Sequence, residues 1–464
     1  MTQRKYAESR RSKQRQRRFI PGTRQLSLEG LESRQLMAGN VTAAVRGQTL
    51  VLTGDAAANK IAIVATDNNR YAVIGIDTDV NRSENVYVTT RTIRNIQLSL
   101  AGGDDLVLAT HDVAAIADLL GESFELDLAD RDVDVDALQE AIDDANPAEM
   151  FSIPGNLTIL GGQGSDVVGI AGSVGGNLLA QLSDFGSDAA NYFALNGLAP
   201  PEDEFSVGSG VTITGGSQAD SVAIADARIQ GRVTADLGNG ANLFVATASE
   251  IGTTLTYIGG TGADVVATGE VAVGSGMAVL TRGGNDQVFT AIETVGVTTV
   301  GRSLSIDTGA GADVVGVAGT VANSITVNTG DGDDEISMFE TQAGGSIVIM
   351  AGSGDDIVEV SDIETDRVFQ AILGLGNDMF TGATWTVNQS VCIDAGPGND
   401  EVNLEDLTVE RVITVLLGSG NDVLSIATST ATSIYVSGGS GTDSSEIDDA
   451  TRDAVDSIFE SSIE

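Results

Sequence analysis

A carboxylate returns through this chain at a nearly constant interval, in most copies closing the string Gly-x-Gly-x-Asp. With its last residue as anchor, the positions are Asp220, Asn242, Asp264, Asp286, Asp313, Asp334, Asp356, Asp378, Asp400, Asp422 and Asp443, and the successive gaps are 22, 22, 22, 27, 21, 22, 22, 22, 22 and 21. One such side chain per unit builds a column of hard oxygen donors along one edge of the protein. A fixed period in this range belongs to stacked repeats, whose units bury their apolar faces only against their neighbours.

The residues around each anchor define the elements that must carry it. Two and four positions after the anchor stand Val266/Thr268, Val315/Val317, Ile336/Met338, Val358/Val360, Val402/Leu404 and Leu424/Ile426. Seven and nine before it stand Tyr257/Leu255, Ile306/Leu304, Val327/Ile325, Ile349/Ile347, Ile393/Val391, Val415/Ile413 and Val436/Ile434. Polar or small residues fill the positions between, and such alternation with β-branched enrichment marks half-buried strands. Each unit therefore holds two short strands, and units stacked in register at roughly 4.8 Å make an all-β, elongated parallel β-solenoid. The same offsets hold at Asp105 and Asp166. The gaps of 61 and 54 residues around Asp166 leave room for insertions near 113–150 and 184–206. The first contains an acidic, helix-prone stretch from Asp132 to Met150. The second contains Asp184 to Phe205, and such insertions often form a binding face.

Glycine lets the chain take positive φ at the turn without a Cβ clash. Nine turns are complete, ending at Asp166, Asp264, Asp313, Asp334, Asp356, Asp378, Asp400, Asp422 and Asp443. Others are degraded: Asp220 follows Gly216-Ser-Gln-Ala, Asn242 lacks the carboxylate, and Ala101 and Arg282 replace the first glycine before Asp105 and Asp286. Two readings of the turn stand side by side. It is a ligand set for a cation, or a tight turn whose Asp accepts backbone N–H bonds. Carboxylates roughly 4.8 Å apart at an effective dielectric near 20 repel by about 3.5 kcal/mol per pair, which favours the first.

Turns such as Gly352-Ser-Gly-Asp-Asp-Ile-Val and Gly418-Ser-Gly-Asn-Asp-Val-Leu resemble the nonapeptide of RTX (hemolysin-type) calcium-binding repeats. The resemblance covers the anchors from Asp166 to Asp443 and is most specific over 309–443. It implies Ca²⁺ between like turns of adjacent coils, held by the nine complete anchors and by carbonyls of glycines such as Gly352, Gly354, Gly374, Gly376, Gly396 and Gly398. The RTX array repeats every nine residues with a turn on both edges. Here the turn comes once per coil, so one edge alone could carry metal, and the other is expected to hold irregular loops such as Ala318–Asn323 and Thr428–Thr432. Donor chemistry agrees with calcium. With one His and one Cys, zinc, copper and iron lack their preferred ligands, and flexible oxygen donors suit Ca²⁺ better than octahedral Mg²⁺.

Composition narrows the function class. Fifty-seven glycines and 4% aromatics suit tight coils with small cores. Residues 1–40 carry ten Lys/Arg and three Asp/Glu, so the rest, with 14 basic and 63 acidic residues, has a net charge of −49. Such a body repels nucleic acid and anionic membrane and attracts divalent cations. No run of 18 apolar residues marks a transmembrane helix, and the lone Cys392 forms no internal disulfide. After a basic arm over residues 1–24 comes the segment Leu26-Ser-Leu-Glu-Gly-Leu-Glu-Ser-Arg-Gln-Leu-Met-Ala38. It resembles the L-x-L-E-x-L-E-x-R-x-L-L-A motif of secreted and surface proteins of planctomycete bacteria, which implies export. The expected organisation is a sorting segment (1–40), a β-rich cap (41–95), the solenoid (96–445) and a helical C-terminal cap (446–464).

The remaining candidates are weaker. Asp130-Arg-Asp-Val-Asp-Val-Asp resembles dockerin or EF-hand loops but lacks their glycine and spacing, so it reads as an acidic helix N-terminus. His111 has no evident nucleophile partner and reads as a solvent-side loop residue. The expectation is a non-enzymatic, exported, calcium-binding structural or adhesive solenoid of the cell surface or matrix, meeting surface polysaccharide or protein. The alternative is a polysaccharide-active enzyme on a parallel β-helix, which would need a groove of convergent Arg, Lys or paired acids with exposed aromatic rings.

Overall fold

A computed structural model describes residues 39–463, apart from 83–84, 112, 125–127, 132, 146–150, 184–189, 197–206 and 292–295. The basic arm and the Leu26–Ala38 motif lie outside the described residues. What is described is a parallel β-solenoid with coils of about 22 residues and few short helices.

The coil after Asp356 shows the plan. Its first strand, Ile357–Thr365, bends at Asp362, which takes a left-handed φ of 51°. The bend shifts the side-chain alternation by one residue. Val358 and Val360 before it and Ile363 and Thr365 after it all face inward. The second strand, Val368–Leu375, then leads into the next glycine turn. A left-handed residue recurs six positions after the anchor at Asp226, Ala248, Glu270, Gly319, Glu340, Thr384, Asp406 and Thr428. The edge expected to carry irregular loops is thus a regular corner. Within the two segments singled out as loops, Val321 already belongs to the strand Val321–Asp331, and Thr430 bridges Thr408.

Register holds coil after coil. Ile336, Val358, Phe380, Val402 and Leu424 pair in one inward stack, and Ile325, Ile347, Phe369, Val391, Ile413 and Ile434 in another. Local volume is balanced within a coil. Trp385 is buried against Phe369, 4.3 Å between centroids, and a Cβ on Gly382 would overlap its ring.

The first coil is closed by antiparallel strands. Asn40–Arg46 pairs with Thr49–Thr53, and Arg70–Gly75 with Lys60–Thr66, while Thr49–Thr53 and Lys60–Thr66 also pair in parallel with Asn95–Ser99 and Leu106–Ala109. This covers edges that would otherwise stay open. The insertion after Leu106–Ala109 holds two helices, α1 (Val113–Phe124) and α2 (Val135–Asp144), where the sequence suggested one. Ile116, Leu120, Leu138 and Ile142 cover outward-facing Leu106, Leu108, Val167 and Ala194. At α2 the Asp134 carboxylate accepts the Ala137 N–H at 3.0 Å, so the acidic stretch does start a helix.

The C-terminal segment departs from expectation. The helix α3 covers only Asp449–Ala454, and Ser457–Ser461 is a further strand paired with Ser433–Ser437. Ile458 sits opposite Ile434 and packs on the core, so the ladder claims residues that also show helical spacing.

Candidate functional site: an inward column of anchors

The anchors lie inside the coil wall, and none is more than 2% exposed. Each backbone N–H donates to the side-chain Oδ1 of the anchor on the next coil. The relay runs from Asn59 to Asp105 (2.6 Å), Asp166 (3.1 Å), Asn191 (3.0 Å), Asp220 (3.1 Å), Asn242 (2.9 Å) and Asp264 (2.9 Å). It continues through Asp286, Asp313, Asp334, Asp356, Asp378, Asp400 and Asp422 to Asp443 at 2.7–3.1 Å. All nine complete anchors are therefore brought into one column, together with the degraded ones. A buried backbone N–H needs an acceptor, and here the anchor supplies it.

Two members were missed by the sequence pattern. Asn59 opens the column, and Asn191 carries a coil hidden within the second insertion, with Tyr192–Asn196 paired between Val167–Ala171 and Ser221–Ala225. The signal was there in Phe193 and Leu195, two and four residues after Asn191. It was masked because this turn is longer and its inward pair, Leu178 and Ala180, falls too far upstream.

The second oxygen is the unusual one. Oδ2 of Asp264, Asp286, Asp313, Asp334, Asp356, Asp378, Asp400, Asp422 and Asp443 is buried and meets no donor. Five residues before the anchor, Thr281, Thr308 and Thr329 stand beside Asp286, Asp313 and Asp334, and their hydroxyls donate to the Thr308, Thr329 and Ala351 carbonyls of the next coil. In the next four coils that position holds the apolar Ala351, Leu373, Ala395 and Leu417. Burial pushes the carboxyl of Asp356 up to about 7, with the Asp334 N–H pulling it back and the charges of Asp378 and Asp334 adding to the rise. Burial likewise raises Asp105 to about 8 and Asp264, Asp313 and Asp400 to about 6.

A second row runs along the outside of the same turns, with the opposite sense. The N–H of Asp355 donates back to Asp333 Oδ1 (2.9 Å), Asn377 to Asp355 (2.7 Å), Asn399 to Asn377 (3.0 Å), Asn421 to Asn399 (2.9 Å) and Thr442 to Asn421 (3.0 Å). Between the rows the glycines stack closely. A Cβ on Gly374, Gly376, Gly396 or Gly398 would overlap the carbonyl oxygen of Gly352, Gly354, Gly374 or Gly376 on the preceding coil. The Gly396 carbonyl also accepts the Ser419 N–H at 3.0 Å.

Calcium needs six to eight oxygens converging at 2.3–2.6 Å. The anchors offer an Oδ1 already bonded to an N–H and an Oδ2 sealed in the wall, while the glycine carbonyls point along the stack at the next Cα. Among the described residues no group of three or more His, Cys, Asp or Glu side chains converges on a common point. The anchor turns as arranged do not fit the calcium ligand set between like turns that the RTX resemblance implies.

Other candidates are placed plainly. Trp385 is buried and donates its Nε1–H to the Val360 carbonyl at 3.0 Å, so it offers no sugar platform. His111 is half-buried rather than free in solvent: its Nδ1 accepts the Phe151 N–H at 3.3 Å, and its carbonyl accepts from Gln139 of α2. Cys392 is half-buried between Gln370 and Thr414, and burial raises its thiol. A polar cavity of about 530 Å³ lies over the glycine-poor turn before Asp220, lined by Gln181, Ser183, Thr214, Asp236, Asn239 and Arg282. It brings together one Arg and one Asp with no aromatic ring.

Set against protein-family models, curated proteins and solved structures, the chain matches none.

Proposed function

We propose that this chain is an exported structural or adhesive β-solenoid of the cell surface or matrix, in which calcium serves as a counter-ion to its acidic surface. The observation that carries the reading is the unbroken relay of anchor bonds from Asn59 to Asp443. Repeated side chains spent on joining coils are what a load-carrying scaffold needs. The net charge of −49 outside the basic arm supports attraction of divalent cations and repulsion of nucleic acid. The Leu26–Ala38 segment supports export, and surface polysaccharide or protein is the proposed partner.

The test is surface biotinylation of the cells that make the protein, together with binding of the full chain to isolated envelopes at increasing calcium. Surface labelling with calcium-enhanced binding is the expected result. Retention inside the cell, or envelope binding indifferent to divalent ions, would overturn the corresponding half of the proposal.

A further inference from the structure

We infer that the anchor column is a metal-free spine whose carboxyl groups are held neutral in mild acid by protons on Oδ2. The geometry leads there in three steps. Every Oδ1 is already an acceptor for an N–H of the neighbouring coil, which fixes the carboxyl plane. The Oδ2 atoms of Asp356, Asp378, Asp400 and Asp422 are sealed from water and meet no donor. An ionised group there would carry buried charge with one oxygen unsolvated, a costly state.

The chain itself provides the neutral version. Asn59, Asn191 and Asn242 occupy the same column and accept or donate the same relay bonds. Asn242 also uses its Nδ2 to donate to the Gly238 carbonyl at 3.0 Å. A carboxylic acid has the same shape and the same pairing of one acceptor with one donor. Protonation from solvent, –COO⁻ plus H⁺ giving –COOH, removes the buried charge from each Oδ2.

The charges facing the column agree in sign. Asp356 faces Asp334 and Asp378 on adjoining coils and Asp333 on the outer row. Asp400 faces Asp378 and Asp422, and Asp105 faces Asp104 and Asp166. Asp264 faces Asp286 and the buried Tyr257 hydroxyl. At the turns near Asp264, Arg282 directs its Nη1 to the Gly259 carbonyl. Along Asp334 to Asp422 the charged neighbours are acids, and each raises the tendency of the next to hold its proton.

The experiment is infrared spectroscopy of the full chain with ¹³C-carboxyl-labelled aspartate at pH 5, run with chelator and again with millimolar calcium. The expected result is a carboxylic-acid band that neither addition changes and that weakens in the Asp356→Asn, Asp378→Asn double variant. That variant keeps every Oδ1 acceptor and is expected to retain the native circular dichroism spectrum. A spectrum with carboxylate bands alone at pH 5, or loss of the acid band on calcium addition, would overturn the inference. So would unfolding of the double variant, because a neutral head in the column is what the inference requires.

Discussion

The backbone N–H of Asp356 ends on Oδ1 of Asp378, 2.9 Å away on the next coil, and the same bond joins Asp378 to Asp400. The Asp side chain is thereby a rung between coils. Its acceptor oxygen matters more to the fold than its charge.

Substitutions at one rung separate these two properties. Asp356→Ala leaves the Asp334 N–H buried without an acceptor, which costs about 1–3 kcal/mol. Asp356→Asn keeps the acceptor and is expected to cost under about 1 kcal/mol at neutral pH. Denaturant titration of both variants checks the difference, and equal losses would show that charge, not the rung, is what the position supplies.

The raised carboxyls set the pH dependence. A native carboxyl pushed up to about 7, as at Asp356, binds more protons than its unfolded counterpart between the ordinary aspartate range and that value. Stability from the column is therefore full in mild acid and is lost as pH rises through the window from about 4 to 7. The thermal midpoint is expected to be higher at pH 5 than at pH 8. A midpoint that falls steadily from pH 8 to pH 5 contradicts this.

Glycine positions differ sharply in what they tolerate. Gly354 has φ 140°, and a Cβ there would strike the Gly332 carbonyl, whereas Gly319 at the other corner has φ 49° and open space. Gly354→Ala should separate two coils and lower the unfolding midpoint strongly, while Gly319→Ala costs about 1–2 kcal/mol for its left-handed backbone alone. Parallel thermal melts of the two variants decide it.

Ala101 holds a first-glycine position with φ 79°. Restoring glycine there relieves left-handed strain, and Ala101→Gly is expected to stabilise the chain by up to about 1 kcal/mol. Chemical denaturation is the check, and destabilisation would show that the turn before Asp105 gains nothing from the missing glycine.

Much of this architecture was legible in the residues. The pairs two and four after each anchor and seven and nine before it, such as Val358/Val360 and Ile349/Ile347, are the buried ones. That same parity places the anchor inward as well. The residues offered the Asp both as a cation ligand and as an acceptor of backbone N–H bonds, and the relay supplies the second. The second corner stayed hidden because its left-handed residue is chemically mixed, with Glu340, Asp362, Thr384 and Asp406 in equivalent places. Helix α1 stayed hidden because its apolar residues pack on the outside of the coil, where Leu106 and Val167 break the expected polar face. Asn191 was lost to a lengthened turn, and the final strand to a segment whose apolar spacing suits either element.

The central claim is that the anchor column is part of the folded wall and independent of metal. Amide hydrogen exchange of Asp334, Asp356, Asp378 and Asp400 in the full chain, with and without chelator at constant pH, tests it most directly. These N–H groups are predicted to stay equally protected in both conditions. Selective loss of their protection on chelation, spreading through the block from Asp313 to Asp443, would contradict the account and restore calcium to the turns.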